Sequence, residues 1–176
     1  MLYAATAAHC DAACAALEAA VADGAPAGVR GLGFDAEWCV SFQRGAAQPP
    51  VATVQLAVRE VAAVFHLRPL GRVPPSLAAL LGRADVLKVG VGAEGDARKL
   101  ERDYAEGPVR GAVDLNDVAR QALAGAEPGP RRRASLAAMC EDLLRRPLEK
   151  PPEVRCGDWD ALPLSDAQLS YAATDA

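Results

Sequence analysis

The 176-residue chain has no apolar run long enough to span a bilayer, which argues against a membrane-spanning helix. No Lys or Arg precedes Arg30, while Asp11, Glu18 and Asp23 fall in that same stretch. A secretory leader or an Arg-rich transit peptide would need the opposite charge. The five cysteines, at 10, 14, 39, 140 and 156, form no C-x-x-C pair. An odd count without framework spacing predicts reduced thiols in an intracellular protein and gives no four-ligand zinc site. Cys10 and Cys14 can meet on one helix face. His9 and His66 are isolated and read as packing or surface residues. A basic excess is also missing: 19 Lys and Arg face 23 Asp and Glu, a formal charge of -4. Nucleic-acid binders are usually basic. This deficit is compatible with such a partner only if carboxylates gather around cations, and two divalent ions would cancel it.

What is present is a globular composition, 51% hydrophobic and 24% charged, without repeats. One domain over 1–176 is the expectation. A short strand at 2–5, a Thr6 cap and an Ala-rich helix to about Asp23 open the chain. Gly31–Glu37 reads as a strand. Strands at 51–58 and 61–67 are joined at Arg59-Glu60 as a hairpin. A helix at 74–81 begins on proline. Strands at 86–89 and 109–115 alternate with helices at 96–104 and 117–124. A loop at 125–133 precedes a helix at 134–144, and 145–159 is Pro-rich and irregular. Ser165 and Gln168 have capping-box spacing, and Leu164 can staple to Leu169, so a last helix starts at Ser165. Antiparallel strands followed by strand–helix alternation predict an α/β mixed sheet of about five or six strands, with helices on both faces.

Within this frame the carboxylates are patterned. Asp35 and Glu37 are two apart on a strand and project to one face, leaving Phe34 and Ala36 to the core. Paired this closely they repel unless something cationic intervenes. Asp96 follows a glycine turn at a helix start, where the macrodipole favours acids. Tyr171 and Asp175 share a face of the last helix. Three Asp and one Glu, without His or Cys, suit Mg²⁺ or Mn²⁺. Gly90-Val91-Gly92-Ala93-Glu94-Gly95 is also a literal G-x-G-x-x-G, with Asp114 beyond it, which is the spacing of a dinucleotide fingerprint.

The segments GFDAEW (33–38), VATVQLAV (51–58), LKVGVGAEGDARKL (87–100), DLNDVA (114–119) and LSYAATDA (169–176) resemble, in order, the motifs of the DEDDy 3'-5' exonucleases. The resemblance is nearest to the Werner-syndrome-type exonuclease domain and its stand-alone plant relatives, with ribonuclease D more distant. It implies a ribonuclease H-like fold and two divalent cations held by Asp35, Glu37, Asp96 and Asp175. Asp35 would bridge the two ions, and Asp96 would act directly or through water. Tyr171 would orient the attacking water. The implied activity releases nucleoside monophosphates from free 3' ends, DNA ahead of RNA, with a separate helicase as a conceivable partner. It also favours the nucleus. On this reading the glycines serve a tight turn that delivers Asp96, since Glu94 and Asp96 oppose a pyrophosphate.

Candidate nucleic-acid contacts are Trp38, by stacking on a terminal base, and Arg44, Arg98, Arg131, Arg132 and Arg133, by phosphate pairing. Lys88, Lys99, Arg102, Arg145 and Arg146 are further cations of this kind. Asp114 and Asp117 read as strand-end and helix-cap residues. The resemblance implies a last helix running beyond Ala176. Asp175 is therefore expected in a thinly packed final turn, the chain reads as truncated, and a catalytically impaired nucleic-acid-binding scaffold is the alternative.

Overall fold

The strand-like segments of the sequence assemble into one sheet in the computed structural model, which describes residues 1–23, 30–59, 61–122 and 133–176. Its strands are β1 (Leu2–Ala4), β2 (Arg30–Glu37), β3 (Thr53–Val58), β4 (Val61–His66), β5 (Val86–Gly90) and β6 (Ala112–Asp114), in the spatial order β1-β4-β3-β2-β5-β6. β2, β3 and β4 pair antiparallel; β1 joins β4, and β5 and β6 join β2, in parallel. The Arg59-Glu60 link makes the expected hairpin, since Val58 pairs with Val61. Arg59 takes φ 47°, the left-handed conformation such a turn requires. Glu60 lies outside the described residues.

Alternation along β2 divides the molecule into two layers. Leu32, Phe34 and Ala36 are buried against α1 (Ala7–Asp23), α2 (Pro75–Leu81) and α3 (Ala93–Tyr104), with Leu17, Leu56, Phe65 and Leu77 completing that core. Each such Leu or Phe side chain stabilises the fold by about 1.5–3 kcal/mol. The opposite face is covered by α7 (Asp166–Asp175), where Trp159, Leu164, Tyr171 and Ala172 pack on Ala52 and Val64. Between these lie α4 (Leu115–Ala122), α5 (Leu136–Met139), which runs on as a π-helical turn at Cys140–Leu144, and α6 (Pro152–Arg155).

Local chemistry explains the ends. Thr6 Oγ1 accepts the His9 N–H at 3.2 Å, capping α1. Ser165 Oγ accepts the Gln168 N–H and Gln168 Oε1 accepts the Ser165 N–H, completing the capping box of α7. Leu164 and Leu169 share one apolar cluster, as a staple requires. Cys10 and Cys14 are buried, free thiols, which burial pushes up to about 11. His66 is also buried, and its Nδ1 pairs with the Tyr3 hydroxyl at 2.7 Å.

Three segments differ from the sequence reading. The strand expected at 109–115 spans only Ala112–Asp114, because Asp114 Oδ1 accepts the Asn116 N–H at 2.8 Å and starts α4 at once. The helix expected from Asp96 begins three residues earlier, at Ala93. The Pro-rich segment carries α6 and ends in Trp159, which is fully buried and donates its Nε1–H to Arg155 O at 3.1 Å.

The glycines of the 90–95 run do unequal work. A Cβ on Gly90 would collide with the Phe34 carbonyl oxygen of the neighbouring strand. Gly92 has φ 85° and caps α3, whereas Gly95 meets nothing. Gly90→Ala is therefore expected to destabilise by about 1–3 kcal/mol, and Gly95→Ala to stabilise by about 0.5–1 kcal/mol. Urea-denaturation midpoints of the two variants check the ranking, and equal midpoints would contradict it.

Candidate active site

The residues of β2 that turn away from the main core are Gly33, Asp35 and Glu37. α7 crosses that face, and a Cβ on Gly33 would collide with the Ala176 backbone. Glycine there lets the end of the helix settle on the strand. The approach brings Asp175 to Asp35 and Glu37, with one carboxylate oxygen from each lying within 4.8 Å of the others. Asp175 is only 8% exposed, so the thinly packed position expected for it is instead a buried one. Tyr171, one turn earlier, is also 8% exposed, and its ring lies 6.0 Å from that of Trp159. Cross-strand register places Gln55 opposite Asp35 and Thr53 opposite Glu37, both fully buried and joined by a 2.6 Å hydrogen bond from Gln55 Nε2 to Thr53 Oγ1.

Asp96 stands outside that trio, in the first turn of α3, but within electrostatic reach of it. The glycine turn in front of it carries no phosphate cradle. Gly92 N–H donates to Asp114 Oδ2 at 3.1 Å, so a carboxylate already sits where a dinucleotide's pyrophosphate would need to be. Asp114 is 3% exposed and ends β6, as its sequence position suggested; it also accepts the Asn116 N–H at the start of α4, whereas Asp117, expected as the cap, lies inside α4 and pairs with Arg120. Burial alone would raise its pKa, but hydrogen bonds from Asn116 and Gly92 and the Arg133 charge hold it below the usual carboxylate range.

The acidic centre is strained electrostatically. Burial, then the charges of Asp175, Glu37 and Asp96, push Asp35 well above its ordinary value. Glu37 is raised to about 8 by burial and by Asp175 and Asp96, against the opposing pull of Lys150 and Arg155. Asp96 is raised to about 6 by burial, Asp114 and Asp175. The Tyr171 hydroxyl is raised by burial and by the surrounding carboxylates, so it remains protonated at neutral pH.

Sequence reasoning missed the cations that face this centre. Lys150 Nζ forms an ion pair with Asp175 Oδ1, and Arg155 lies near enough to lower Glu37. Both come from the segment read as irregular. Trp159, which pins that segment under α7, was missed with them. A Lys and an Arg flanking two prolines just before a tryptophan were the available signal.

The proposed nucleic-acid contacts fall in several places. Arg133 lies 3.6 Å from Asp114, with its side chain 74% exposed, and Asn116 fixes its neighbour by two hydrogen bonds with Ala134. Arg131 and Arg132 lie outside the described residues. Arg98 is exposed and paired with Glu94 at 3.5 Å. Arg44 is exposed in the loop after β2, which is closed by two 2.9 Å hydrogen bonds between Gln48 and Ser41. Trp38 packs on the edge of the main core, with Lys99 Nζ 4.8 Å from its ring centroid. Lys88 and Lys99 are not surface cations. Lys88 is fully buried, donating to Arg83 O and Val86 O at 2.7 Å. Lys99 is tied to Pro49 O and Asp103.

The donor set fits a hard divalent cation. Asp35, Glu37 and Asp175 offer oxygen only, and their ligand atoms lie within 4.8 Å of one another. Oxygen ligands of this kind suit Mg²⁺ or Mn²⁺ rather than zinc. None of the described helices is long and apolar enough to cross a membrane.

Comparison with known proteins bears on this geometry. A family model described as 3'-5' exonuclease matches residues 5–176. A 3'-5' exonuclease of Arabidopsis thaliana is 38% identical over 153 residues, covering 85% of this chain and 50% of that protein. The mouse bifunctional 3'-5' exonuclease/ATP-dependent helicase WRN is 37% identical over 146 residues, covering 82% of this chain and 10% of that one. The chain thus spans half or less of these relatives. Among solved structures, the EXD2 exonuclease domain soaked in Mn and Mg superposes with a TM-score of 0.59 at 30% identity, covering 98% of this chain and 82% of that one. A second crystal of that domain, soaked in Mn and GMP, gives 0.58 at 29%. The mixed six-stranded sheet flanked by helices is the ribonuclease H-like arrangement expected from the sequence.

The raised carboxyls make stability depend on pH. Glu37 binds its proton more tightly folded, at about 8, than at its ordinary 4.5, and Asp96 at about 6 rather than 3.8. Below those ordinary values the folded chain keeps the full benefit, and it loses it as pH rises through the folded values. In EDTA the melting temperature is expected to fall between pH 5 and 8. Mn²⁺ should restore more at pH 8 than at pH 5.5, because ligands must shed protons to bind. A flat or rising profile in EDTA would contradict the assignment, and Glu37→Gln should flatten it.

Proposed function

The chain belongs to the 3'-5' exonuclease family, and from that premise we propose that it hydrolyses the terminal phosphodiester at the 3' end of a nucleic acid, DNA before RNA, releasing a nucleoside monophosphate. The observation that carries the proposal is the convergence of the half-buried Asp35 and Glu37 of β2 with the buried Asp175 of α7 on one point. Asp35, Glu37 and Asp175 would hold the divalent cations, with Asp96 completing the cage directly or through water. When bound, two such ions supply Lewis acidity, making water a better nucleophile and offsetting the charge of the phosphate and the leaving oxygen.

The chain's own groups do the rest. Tyr171, held protonated among carboxylates and braced by Trp159, has a hydroxyl able to orient the attacking water by hydrogen bonding. Water attacks phosphorus as the 3' oxygen of the penultimate nucleotide departs and takes a proton. Arg133, paired with Asp114, and the exposed Arg98 and Arg44 would meet backbone phosphates. GMP and dGMP, in which crystals of the EXD2 domain were soaked, are nucleoside monophosphates, the class of product such a site would release.

The test uses 5'-labelled DNA and RNA, single-stranded and 3'-recessed, with Mg²⁺ or Mn²⁺. A ladder shortening from the 3' end is expected, lost with EDTA and in Asp35→Ala. Tyr171→Phe should lower kcat by about 10²–10⁴-fold with KM little changed. Folded protein that binds these substrates without shortening them would sink the exonuclease reading and leave the nucleic-acid-binding scaffold.

A further inference from the structure

The three lysines of this chain have different surroundings. Lys88 is buried on two carbonyl oxygens, and Lys99 is fixed by a carbonyl, a carboxylate and a tryptophan face. Lys150 sits on the connector between the π-helical turn and α6, two residues before Pro152, and its side chain is 29% exposed. Its ammonium pairs with Asp175 Oδ1, an atom that is buried. Among the described residues, this ammonium is the one salt-bridge partner Asp175 has.

We propose that Lys150 is the internal counter-cation of the acidic centre, and that it competes with divalent metal for the Asp175 carboxylate. The inference rests on Asp35, Glu37 and Asp175 being metal ligands. Asp175 offers a ligand atom within 4.8 Å of those of Asp35 and Glu37, so an ion held by all three would face the ammonium at short range. Two cations cannot share that space without strong repulsion. The lysine is the one able to leave: its stem is flexible, its connector is not helical, and one side is open to solvent. While seated, it offsets the repulsion among the carboxylates and keeps α7 on β2. It thereby raises the metal concentration the site needs.

The test needs no nuclease assay. In Lys150→Met, which keeps much of the apolar stem and loses the charge, Mn²⁺ should bind on the order of tenfold tighter by calorimetry. The melting temperature of that variant in EDTA should be lower than that of the wild type, and Lys150→Arg should stay near the wild type on both counts. A second measurement uses the native chain: amine labelling read by mass spectrometry. Mn²⁺ should increase labelling of Lys150, while the buried Lys88 and Lys99 stay protected with or without metal. Unchanged or weaker Mn²⁺ binding in Lys150→Met, or labelling that Mn²⁺ leaves unchanged or reduces, overturns the competition while leaving the metal reading intact. Absence of Mn²⁺ binding in every chain, wild type included, overturns the metal reading and the competition together.

Discussion

Mutual repulsion among half-buried carboxylates is the constraint on which the rest of this structure turns. Asp35, Glu37 and Asp175 converge within 4.8 Å, and Asp96 adds its charge from a neighbouring helix. Left alone, such a cluster would push α7 off the sheet. The molecule resists with apolar packing on the opposite face of the same strand, where Leu32, Phe34 and Ala36 are locked into the main core. On the acidic face itself, Trp159, Leu164 and Ala172 provide a second, smaller apolar anchor. β2 therefore serves two incompatible environments through the two-residue period of a strand, and a one-residue register slip would destroy both.

The formal charge of -4 includes this cluster. Under the proposed function a nucleic-acid ligand would need positive potential, supplied by local cations rather than by a basic surface. Lys150 pairs with Asp175, Arg155 lies near enough to lower Glu37, and Arg133 lies beside Asp114. Lys150 and Arg133 are each paired with a carboxylate of the protein. Preorganised charge of this kind is worth more than the same number of mobile surface arginines.

Much of this was legible in the sequence because it was local. Period-two alternation placed Asp35 and Glu37 on one face, i to i+4 spacing placed Tyr171 with Asp175, and the capping box fixed where α7 begins. Three features were not legible. Arg155 and Lys150 lie about 115 residues from Glu37 and meet it only through tertiary packing, and no periodicity announces that. Lys88 and Lys99 look like surface cations in the sequence, yet buried carbonyls and Asp103 satisfy them. Asp114 had two readings by spacing, a ribose-binding acid or a strand-end residue. Only its hydrogen bonds to Gly92 and Asn116 separate them.

That last pair of readings shows why a glycine pattern carries so little chemistry of its own. In a dinucleotide site the same spacing would leave helix N–H groups free to meet a pyrophosphate. Here Gly92 gives its N–H to a carboxylate, and Glu94 and Asp96 occupy the first turn of α3. Gly90 is required by something else, the close approach of β5 to the Phe34 carbonyl. That approach sets α3 against β2 and brings Asp96 within electrostatic reach of the trio without joining it. The glycines thus govern how near two strands and a helix can lie. The charges around them decide that the space so made receives a cation and not an anion.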